Sequence, residues 1–365
     1  MKHDLREIVT HFELEGRFLD AVPYGSGHIN DTYASRFALG DRIVRYIHQR
    51  VNHNVFRTPD KLMENVERVT NYAREQITAA GGDPDRESLT LLPTVDGKSY
   101  YVSPEGNYWR TYIFIEGAQT YDQAESPDMV YNASKAFGRF QKLLSTLPGG
   151  RLHETIPNFH HTRKRFEAFA EALRADVKNR AALAKPEIDF VLEREADCSV
   201  LVDMLADGRL PERVTHNDTK INNVMIDDVT GEGVCVIDLD TMMPGSALYD
   251  FGDSVRTAAA LAAEDELDLS KVGINLEMFE QLARGYLDTA RDFLTPTEID
   301  YMAFSAKLMT FECGVRFLTD YLQGDVYFKI KREAHNLDRC RTQWGMVADM
   351  ERKMDEMRAI VQRYC

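Results

Sequence analysis

The sequence predicts a bilobal α+β protein with a small, antiparallel, β-rich N-terminal lobe and a larger, mostly helical C-terminal lobe. Up to residue 117, short runs of β-branched and aromatic residues alternate with glycine and proline turns, as in strands joined by tight turns. Beyond residue 117, apolar residues recur three and four positions apart, as on one face of a helix. We therefore expect two domains, residues 1–117 and residues 118–365.

The N-terminal lobe is expected to begin with three consecutive strands. Residues 20–37 predict strand, glycine turn and strand, and residues 42–51 predict a third strand after another turn. A helix should follow, with Thr58 as its N-cap, Pro59 at its first position and a glycine pair, residues 81–82, at its end. Further strands, which complete an antiparallel sheet, are predicted within residues 88–95, 98–104 and 107–116.

The C-terminal lobe shows helical patterns interrupted by one β-rich island. Residues 132–147 carry a continuous apolar stripe at helical spacing. Helical patterns also dominate residues 158–207 and the chain from about residue 276 onward. The island between them, residues 213–241, predicts a short hairpin.

Composition argues against several classes of protein. The 44 basic and 59 acidic residues give a net charge of −15, which disfavours non-specific binding to nucleic acid or an anionic membrane. No apolar run approaches the ~18 residues of a membrane span, and the acidic residues near the N-terminus are unlike a signal peptide. The 5 scattered cysteines suit neither structural zinc nor a disulfide framework. We expect a cytoplasmic protein with no obligate protein partner evident.

The β-rich island contains the residues that suit phosphoryl transfer. In "THNDTKINNVMIDDVTGEGVCVIDLD", Asp218 and Asn223 follow His216 in the spacing D-x-x-x-x-N, and Asp238 ends the returning strand. Phosphoryl transfer needs an aspartate that accepts the proton of the substrate hydroxyl, and oxygen ligands for Mg²⁺ on the ATP phosphates. We assign the first role to Asp218 and the second to Asn223 and Asp238.

A literal Asp-Phe-Gly, the metal-binding triplet of protein kinases, lies in "YDFGDS", residues 249–254. Asp238 lies 15 positions after Asn223, a gap that one hairpin covers, whereas Asp250 lies 27 positions after it. We therefore prefer Asp238 as the metal ligand, with Asp240 as a weaker candidate. Asp250 is expected to begin a helix, residues 250–263, and to accept hydrogen bonds from the backbone of the Asp218 loop.

These motifs resemble the aminoglycoside phosphotransferase and choline kinase superfamily of small-molecule kinases. Within it, "PYGSGHINDTY", "THNDTKINN", "IDLDTMMPGSALYDFGDS" and "ECGVRFLTDYLQGDVYF" most resemble the bacterial N-acetylhexosamine 1-kinases. The resemblance extends over nearly the whole chain. It implies a protein-kinase-like (aminoglycoside phosphotransferase-like) fold, MgATP as phosphoryl donor, and an amino sugar phosphorylated on its anomeric hydroxyl.

The nucleotide is expected to bind the N-terminal lobe. Gly25 and Gly27 form a turn whose backbone could cover the phosphates, although Asn30 replaces a third glycine. The third strand lacks the lysine that many kinases place there. Gln49 is the favoured replacement because it shares a strand face with the apolar Ile47.

Three further nucleotide contacts are considered. Arg50 is the alternative to Gln49. Glu64 or Glu67 on the following helix could be the partner of the strand residue that binds phosphate, or merely a solvated charge. The backbone from Phe114 to Glu116 is expected to meet the adenine edge at the end of the N-terminal lobe.

Four residues are assigned to the sugar. His28 and Asn30 follow the glycine turn and should face the cleft. The resemblance favours Arg316 as a sugar ligand, although the repeat of Glu312, Arg316 and Asp320 every four residues also fits a surface ion-pair stripe. Tyr327 is a further candidate, or a packed aromatic.

Two other functions remain open. The chain could phosphorylate another alcohol, such as choline, homoserine or an aminoglycoside. Choline would call for an aromatic or acidic cage, and none is identifiable in the sequence. The missing strand lysine also leaves open a catalytically inactive nucleotide-binding module.

Overall fold

The computed structural model describes residues 3–25, 27 and 29–365. The strands are β1 (Arg17–Pro23), β2 (Asp31–Leu39), β3 (Arg42–Val51), β4 (Leu91–Leu92), β5 (Tyr101–Val102), β6 (Tyr108–Ile113), β7 (Ala118–Gln119), β8 (Arg213–Thr215), β9 (Val224–Asp227), β10 (Gly233–Val236) and β11 (Met243–Gly245). The helices are α1 (Leu5–Ile8), α2 (Pro59–Ala79), α3 (Pro84–Glu87), α4 (Pro127–Leu144), α5 (Thr162–Ala175), α6 (Lys185–Leu192), α7 (Val200–Ala206), α8 (Ala247–Ala258), α9 (Leu276–Ala290), α10 (Pro296–Asp300), α11 (Met302–Gln323), α12 (His335–Arg352) and α13 (Met354–Gln362).

The chain forms two compact units, each assembled from separate segments. The first unit comprises the residues up to Asp122 together with Leu143–Ile156 and Asn222–Met243. The second unit comprises Gln123–Lys142, Pro157–Ile221 and Pro244–Cys365. The division into functional domains at residue 117 stays a prediction.

The first unit is built on an antiparallel sheet, as predicted. Its strand order is β1-β2-β3-β6-β4, with β5 also paired to β6. In this register Gln49 on β3 lies opposite both Thr32 on β2 and Arg110 on β6. The sheet therefore places these three polar side chains side by side.

Two of the predicted strands are much shorter than expected. Within residues 88–95 and 98–104 only Leu91–Leu92 and Tyr101–Val102 are extended strands. Pro93 has no N–H to donate to a neighbouring strand. The Thr94 hydroxyl oxygen then accepts the N–H of Lys98 at 2.9 Å and closes a turn.

Helix α2 begins and ends where the sequence predicts. Pro59 occupies its first turn, and Gly81 follows its end with a φ of +80°, a conformation that costs glycine little. Thr58 precedes the helix, but its side chain makes no capping hydrogen bond. The buried face of the helix includes Leu62, Val66, Val69 and Ala73, whereas Tyr72 is only half-buried.

Helix α11 is the central element of the second unit. A side-chain carbon at Gly252 of α8 would lie 2.5 Å from the carbonyl oxygen of Ser305 on α11. The two helices therefore approach so closely that only glycine fits at residue 252. Phe251 beside it is completely buried, so the Asp-Phe-Gly triplet lies within a helix-packing contact.

The boundaries of two helices differ from the prediction. Helix α4 begins at Pro127, before residue 132, because proline suits the first turn and the N–H of Met129 is bound by the Ser126 hydroxyl. Helix α8 ends at Ala258 instead of residue 263. Beyond it, Leu261 donates to the carbonyl of Gly273 at 3.0 Å, which is incompatible with a continued helix. No helix in the described part of the chain is long and apolar enough to cross a lipid bilayer.

Candidate active site

The hairpin of β9 and β10 brings Asn223 and Asp238 to the same end. Val224 pairs with Val236, and the next N–H, that of Ile237, donates to the carbonyl of Asn223 at 2.9 Å. Asp238 follows directly, with a φ of +58°, in a left-handed conformation that aspartate tolerates better than most residues. The predicted proximity of Asn223 and Asp238 is therefore present in the first unit.

The oxygen atoms at this end suit a hard cation. Asp238 is exposed, and Asn223 contributes an amide that is almost fully buried. Mg²⁺ on a nucleotide is held by one or two protein carboxylates while phosphates and water complete its shell. Within residues 3–25, 27 and 29–365 no larger cluster of acidic, histidine or cysteine side chains is gathered for a metal. Asn223 and Asp238 thus fit magnesium that is bound together with ATP.

Asp240, the weaker metal candidate, is occupied by protein partners. Its Oδ1 lies 2.5 Å from Nη1 of Arg110, and its Oδ2 accepts a hydrogen bond from the Asn30 amide at 2.6 Å. The side chain is 2% exposed. These contacts suit a structural role better than a metal ligand.

Arg110 is a residue that the sequence analysis missed. Its Nε and Nη2 donate to Oε1 of Gln49 at 3.0 and 2.9 Å, in addition to the ion pair with Asp240. Burial alone would lower the pKa of Arg110, but the charge of Asp240 raises it above its usual value. A permanent cation therefore lies beside Gln49, the residue predicted at the position where many kinases carry a lysine. The signal was present, because an arginine on the buried strand β6 calls for an acidic partner.

Gln49 and Arg50 are both engaged by neighbouring residues. The Gln49 amide donates to the hydroxyl of Thr32 at 3.1 Å and accepts from Arg110, so its orientation is defined. Arg50 instead donates to Asp31 at 2.5 Å. The structure gives Gln49 a fixed place, and its contact with nucleotide stays a prediction.

The glycine turn is described only in part. Gly25 has a φ of +79°, and a side-chain carbon at Gly25 or Gly27 would have no atom of the described residues within 4 Å, chain neighbours aside. His28 lies outside the described residues. Asn30 uses both ends of its amide, since its oxygen accepts the N–H of Asn52 at 3.0 Å and its nitrogen donates to Asp240. A role for Asn30 in sugar binding stays a prediction.

The segment expected to meet adenine is linked to its surroundings by arginines. The guanidinium of Arg45 lies 3.6 Å from the centre of the Phe114 ring and also pairs with the Glu116 carboxylate. Arg86 donates to the carbonyl of Glu116 and pairs with Asp227 on β9. These contacts tie the segment to the hairpin of β9 and β10 within the first unit.

The two glutamates considered as partners for Gln49 lie on the exposed face of α2. Both Glu64 and Glu67 are exposed. Glu64 lies 2.8 Å from His153 instead. This arrangement fits the alternative of solvated helix charges.

In the second unit, Asp250 holds the loop that carries Asp218, as predicted. Its carboxylate accepts the N–H of His216 at 2.9 Å and of Asn217 at 2.7 Å. Burial raises the pKa of Asp250, and these N–H donors oppose that shift by favouring the ionised form. Helix α8 begins at Ala247, so Asp250 lies inside its first turn rather than at its start.

A second carboxylate holds the same loop further on. Oδ2 of Asp253 accepts the N–H of Thr219 at 3.0 Å, and the Thr219 hydroxyl donates to the carbonyl of Asp250 at 2.5 Å. The hydroxyl of Ser254 donates to the carbonyl of Thr219 at 3.0 Å. Helix α8 therefore fixes the backbone on both sides of Asp218.

Asp218 has a cationic neighbour that the sequence analysis did not single out. Nζ of Lys220 lies 2.7 Å from Oδ1 of Asp218, and the two side chains are 44% and 27% exposed. Burial would lower the pKa of Lys220, but Asp218 and Asp253 raise it. Lys220 therefore places a positive charge directly beside the Asp218 carboxylate.

Arg316 is half-buried between two aromatic rings. Its guanidinium carbon lies 5.7 Å from the centre of the Phe159 ring and 5.6 Å from that of Phe328. It makes no hydrogen bond or ion pair with any residue that the structure describes. Glu312 and Asp320 are 1% and 2% exposed, so the interpretation as a surface ion-pair stripe is wrong.

Tyr327 is exposed, and Asp320 holds the backbone on which it lies. The Asp320 carboxylate accepts the backbone N–H groups of Val326, Tyr327 and Phe328 at 2.8–2.9 Å. The Tyr327 side chain is 66% exposed, so it is not a packed aromatic. Asp320 thus fixes the backbone of Tyr327 and that of Phe328, whose ring is one of the two beside Arg316.

A comparison with known families decides the class of protein. The model of the phosphotransferase enzyme family matches residues 20–271 of the chain. The chain belongs to this family. The matched range includes the glycine turn, the Asp218 loop and the hairpin of Asn223 and Asp238.

Solved structures show that this phosphotransferase has the protein-kinase-like fold of aminoglycoside phosphotransferases and choline kinases. A microcompartment-associated aminopropanol kinase is 14% identical, with 99% of each chain covered and a TM-score of 0.55. Choline kinase from Cryptosporidium parvum Iowa II is 13% identical, with 98% of this chain and 99% of that chain covered and a TM-score of 0.61. Spectinomycin phosphotransferase, in complex with ADP and spectinomycin, is 13% identical, with 96% and 98% covered and a TM-score of 0.53.

Proposed function

We propose that this phosphotransferase transfers the γ-phosphoryl group of ATP to the anomeric hydroxyl of an N-acetylhexosamine, giving the sugar 1-phosphate. Membership of the family supports the reaction type. The ADP in the related spectinomycin phosphotransferase supports a nucleotide as donor. The environment of Arg316 carries the argument for the acceptor.

Each chemical role falls to one of the residues described above. Asp218 accepts the proton of the sugar hydroxyl as the sugar oxygen attacks the γ-phosphorus and ADP leaves. Asn223 and Asp238 would hold magnesium, and the bound ion would supply positive charge beside the phosphates. Gln49, oriented by Arg110, replaces the strand lysine as the phosphate contact. Gly25, Gly27 and the segment from Phe114 to Glu116 complete the nucleotide contacts.

The acceptor pocket is proposed to lie beside the Asp218 loop because Arg316 is connected to that loop. Arg316 contacts Phe159, and the next residue, His160, lies 3.1 Å from the carbonyl of Asn217 through its Nε2. Asn217 directly precedes Asp218. An arginine with no hydrogen-bond or ion-pair partner among the described residues thus lies two contacts, through Phe159 and through His160, from the loop of the proposed base.

The charge at this position favours a neutral acceptor over a cationic one. A guanidinium offers five N–H donors to ring hydroxyls and the acetamido oxygen, and the faces of Phe159 and Tyr327 offer apolar contact. Burial and the charge of Arg316 lower the pKa of the neighbouring Arg165, so two cations lie close together. These two cations would repel the ammonium groups of choline, homoserine and aminoglycosides. His28 and Asn30 are proposed as further sugar ligands.

The decisive experiment is a panel of acceptors with ATP consumption as the readout, followed by spectroscopy of the product. N-acetylglucosamine or N-acetylgalactosamine should react, and phosphorus should couple to the anomeric proton of the product. The attacking oxygen keeps its bond to the anomeric carbon, so the anomeric configuration is retained. Coupling to the protons on carbon six would refute the site of phosphorylation. Reaction with only choline, homoserine or an aminoglycoside would refute the sugar, and no reaction with any acceptor would support an inactive module.

A further inference from the structure

A buried histidine connects helix α11 to the loop of the proposed base. His160 is 8% exposed and lies two residues before α5. Its Nδ1 lies 2.8 Å from Oε1 of Glu312, and its Nε2 lies 3.1 Å from the carbonyl oxygen of Asn217. The second oxygen of Glu312 accepts the hydroxyl of Thr162 at 2.7 Å. All of these groups belong to the second unit.

Both ring nitrogens of His160 face atoms that only accept hydrogen bonds. A backbone carbonyl has no proton, and an ionised carboxylate has none. Burial alone would raise the pKa of Glu312, but the neighbouring His160 and Arg165 lower it, which favours the ionised form. Both contacts are satisfied together only if His160 carries a proton on each nitrogen.

A second histidine in the same unit provides a direct contrast. Nε2 of His335 lies 2.9 Å from Asp265, while its Nδ1 accepts the N–H of Lys331 at 3.1 Å. His335 therefore needs one ring proton, although it too has a carboxylate partner. The carbonyl of Asn217 is what distinguishes His160.

Other charged and titratable groups surround His160. Arg165 of α5 lies close enough to Glu312 to lower its pKa, and Asp253 of α8 interacts electrostatically with His160. The Tyr249 ring lies 5.5 Å from the imidazole, and burial raises the pKa of its hydroxyl, so it stays neutral. Glu312 and Asp253 are thus the carboxylates that interact electrostatically with His160.

The contact matters because Asn217 is held from two sides. Its N–H is bound by Asp250 and its carbonyl by His160. Its φ is +66°, a left-handed conformation that costs a non-glycine residue energy. Asp218 follows directly, so the orientation of the Asp218 carboxylate depends on both bonds.

We propose that His160, as an imidazolium paired with Glu312, is a positioning residue that holds the Asn217 carbonyl and so orients Asp218 for proton transfer. This proposal rests on the proposed role of Asp218 as base. It assigns a role in the reaction to the buried histidine before α5 and to the buried glutamate of α11.

The protonation of the ring can be measured without any substitution. In the ¹⁵N-histidine-labelled protein at pH 7, nitrogen–proton correlation spectra should show two protonated nitrogens for His160 and one for His335. The variants His160→Gln and His335→Gln assign the signals. A single protonated nitrogen in His160 would overturn the imidazolium.

The positioning role is tested by kinetics. His160→Gln and Glu312→Gln should each lower kcat about 10- to 100-fold, the scale of a slightly displaced catalytic group, with little change in KM for ATP. In Glu312→Gln, which lacks the anion that keeps both ring protons, kcat should also fall as the pH rises from about 6 to 8. His335→Gln, which alters a buried histidine away from the Asp218 loop, should leave kcat unchanged even if it lowers the melting temperature.

Two outcomes separate this inference from the proposed function. If Asp218→Asn abolishes turnover while His160→Gln and Glu312→Gln retain normal kcat, the positioning role is wrong and the base stands. If Asp218→Asn retains turnover, the proposed base is wrong, whereas the spectra still decide the protonation of His160.

Discussion

Arg110 and Asp240 form an ion pair that is almost completely removed from water. Nη1 of Arg110 lies 2.5 Å from Oδ1 of Asp240, and their side chains are 1% and 2% exposed. Buried charges are stable only when hydrogen bonds satisfy their remaining atoms, and Gln49 and Asn30 supply these bonds. The pair joins strand β6 to the segment that begins with the proposed metal ligand Asp238.

Removing Arg110 should destabilise the protein strongly. Arg110→Met leaves Asp240 buried without a counter-charge, so the free energy of unfolding should fall by about 3–5 kcal/mol in urea denaturation. The double variant Arg110→Met/Asp240→Leu should lose less, because no unpaired charge remains. Arg36→Met breaks an exposed pair with Asp20 in the same sheet and should matter far less. Equal losses for Arg36→Met and Arg110→Met would contradict the importance of burial.

Asp238→Ala should abolish magnesium-dependent turnover with only a modest fall in the melting temperature, because the side chain is exposed but alanine tolerates the left-handed backbone at this position less well than aspartate. The measurement is activity over a magnesium titration, together with calorimetric binding of MgADP. Asp228→Ala removes another exposed carboxylate from the same hairpin and should behave like the unaltered protein. Normal magnesium dependence in Asp238→Ala would show that the metal ligand lies elsewhere.

Asp250→Ala should reduce both stability and turnover without changing the magnesium requirement. The substitution leaves the N–H groups of His216 and Asn217 buried without an acceptor, at a cost of about 1–3 kcal/mol for each. Thermal unfolding and a magnesium titration of the residual activity measure the two effects. If Asp250→Ala instead shifted the magnesium requirement, the Asp-Phe-Gly triplet would have to be reconsidered as the metal site.

Asp218→Asn should lower kcat by roughly 100-fold or more, the scale expected when a general base is lost. Asparagine has nearly the same shape but cannot accept the proton, so nucleotide binding should change little. Steady-state kinetics and ADP titration measure the two quantities on the same preparation. Near-normal kcat would remove Asp218 from the mechanism.

Arg316→Gln should raise KM for the sugar at least about tenfold, because a desolvated charged hydrogen bond contributes about 1.5–3 kcal/mol. The KM for ATP should stay unchanged, and a cationic acceptor such as choline should be used no worse than before. The control is Arg174→Gln on α5, because this arginine donates to the carbonyl of Ala170 in its own helix and to no other residue that the structure describes. An unchanged KM for the sugar would place the acceptor away from Arg316.

The sequence by itself determined the elements whose geometry depends on near neighbours. Helix α2 starts at Pro59 because proline fixes its own φ at a helical value, and it stops before Gly81 because glycine adopts a left-handed conformation at little cost. Asn223 and Asp238 lie at the same end of the hairpin because the short turn between its two strands pairs Val224 with Val236. Such relationships extend over a few residues and are therefore visible as spacing.

Only the tertiary structure decided which charges are buried and with which partners. Arg110 meets Asp240 from 130 positions away, and Glu312 meets His160 from 152 positions away, so no local pattern contains either pair. The four-residue spacing of Glu312, Arg316 and Asp320 fits a solvated stripe equally well until α11 is placed at the centre of its unit. Burial and ion pairing are properties of packed elements, because the free energy of a charge depends on whether water or protein surrounds it.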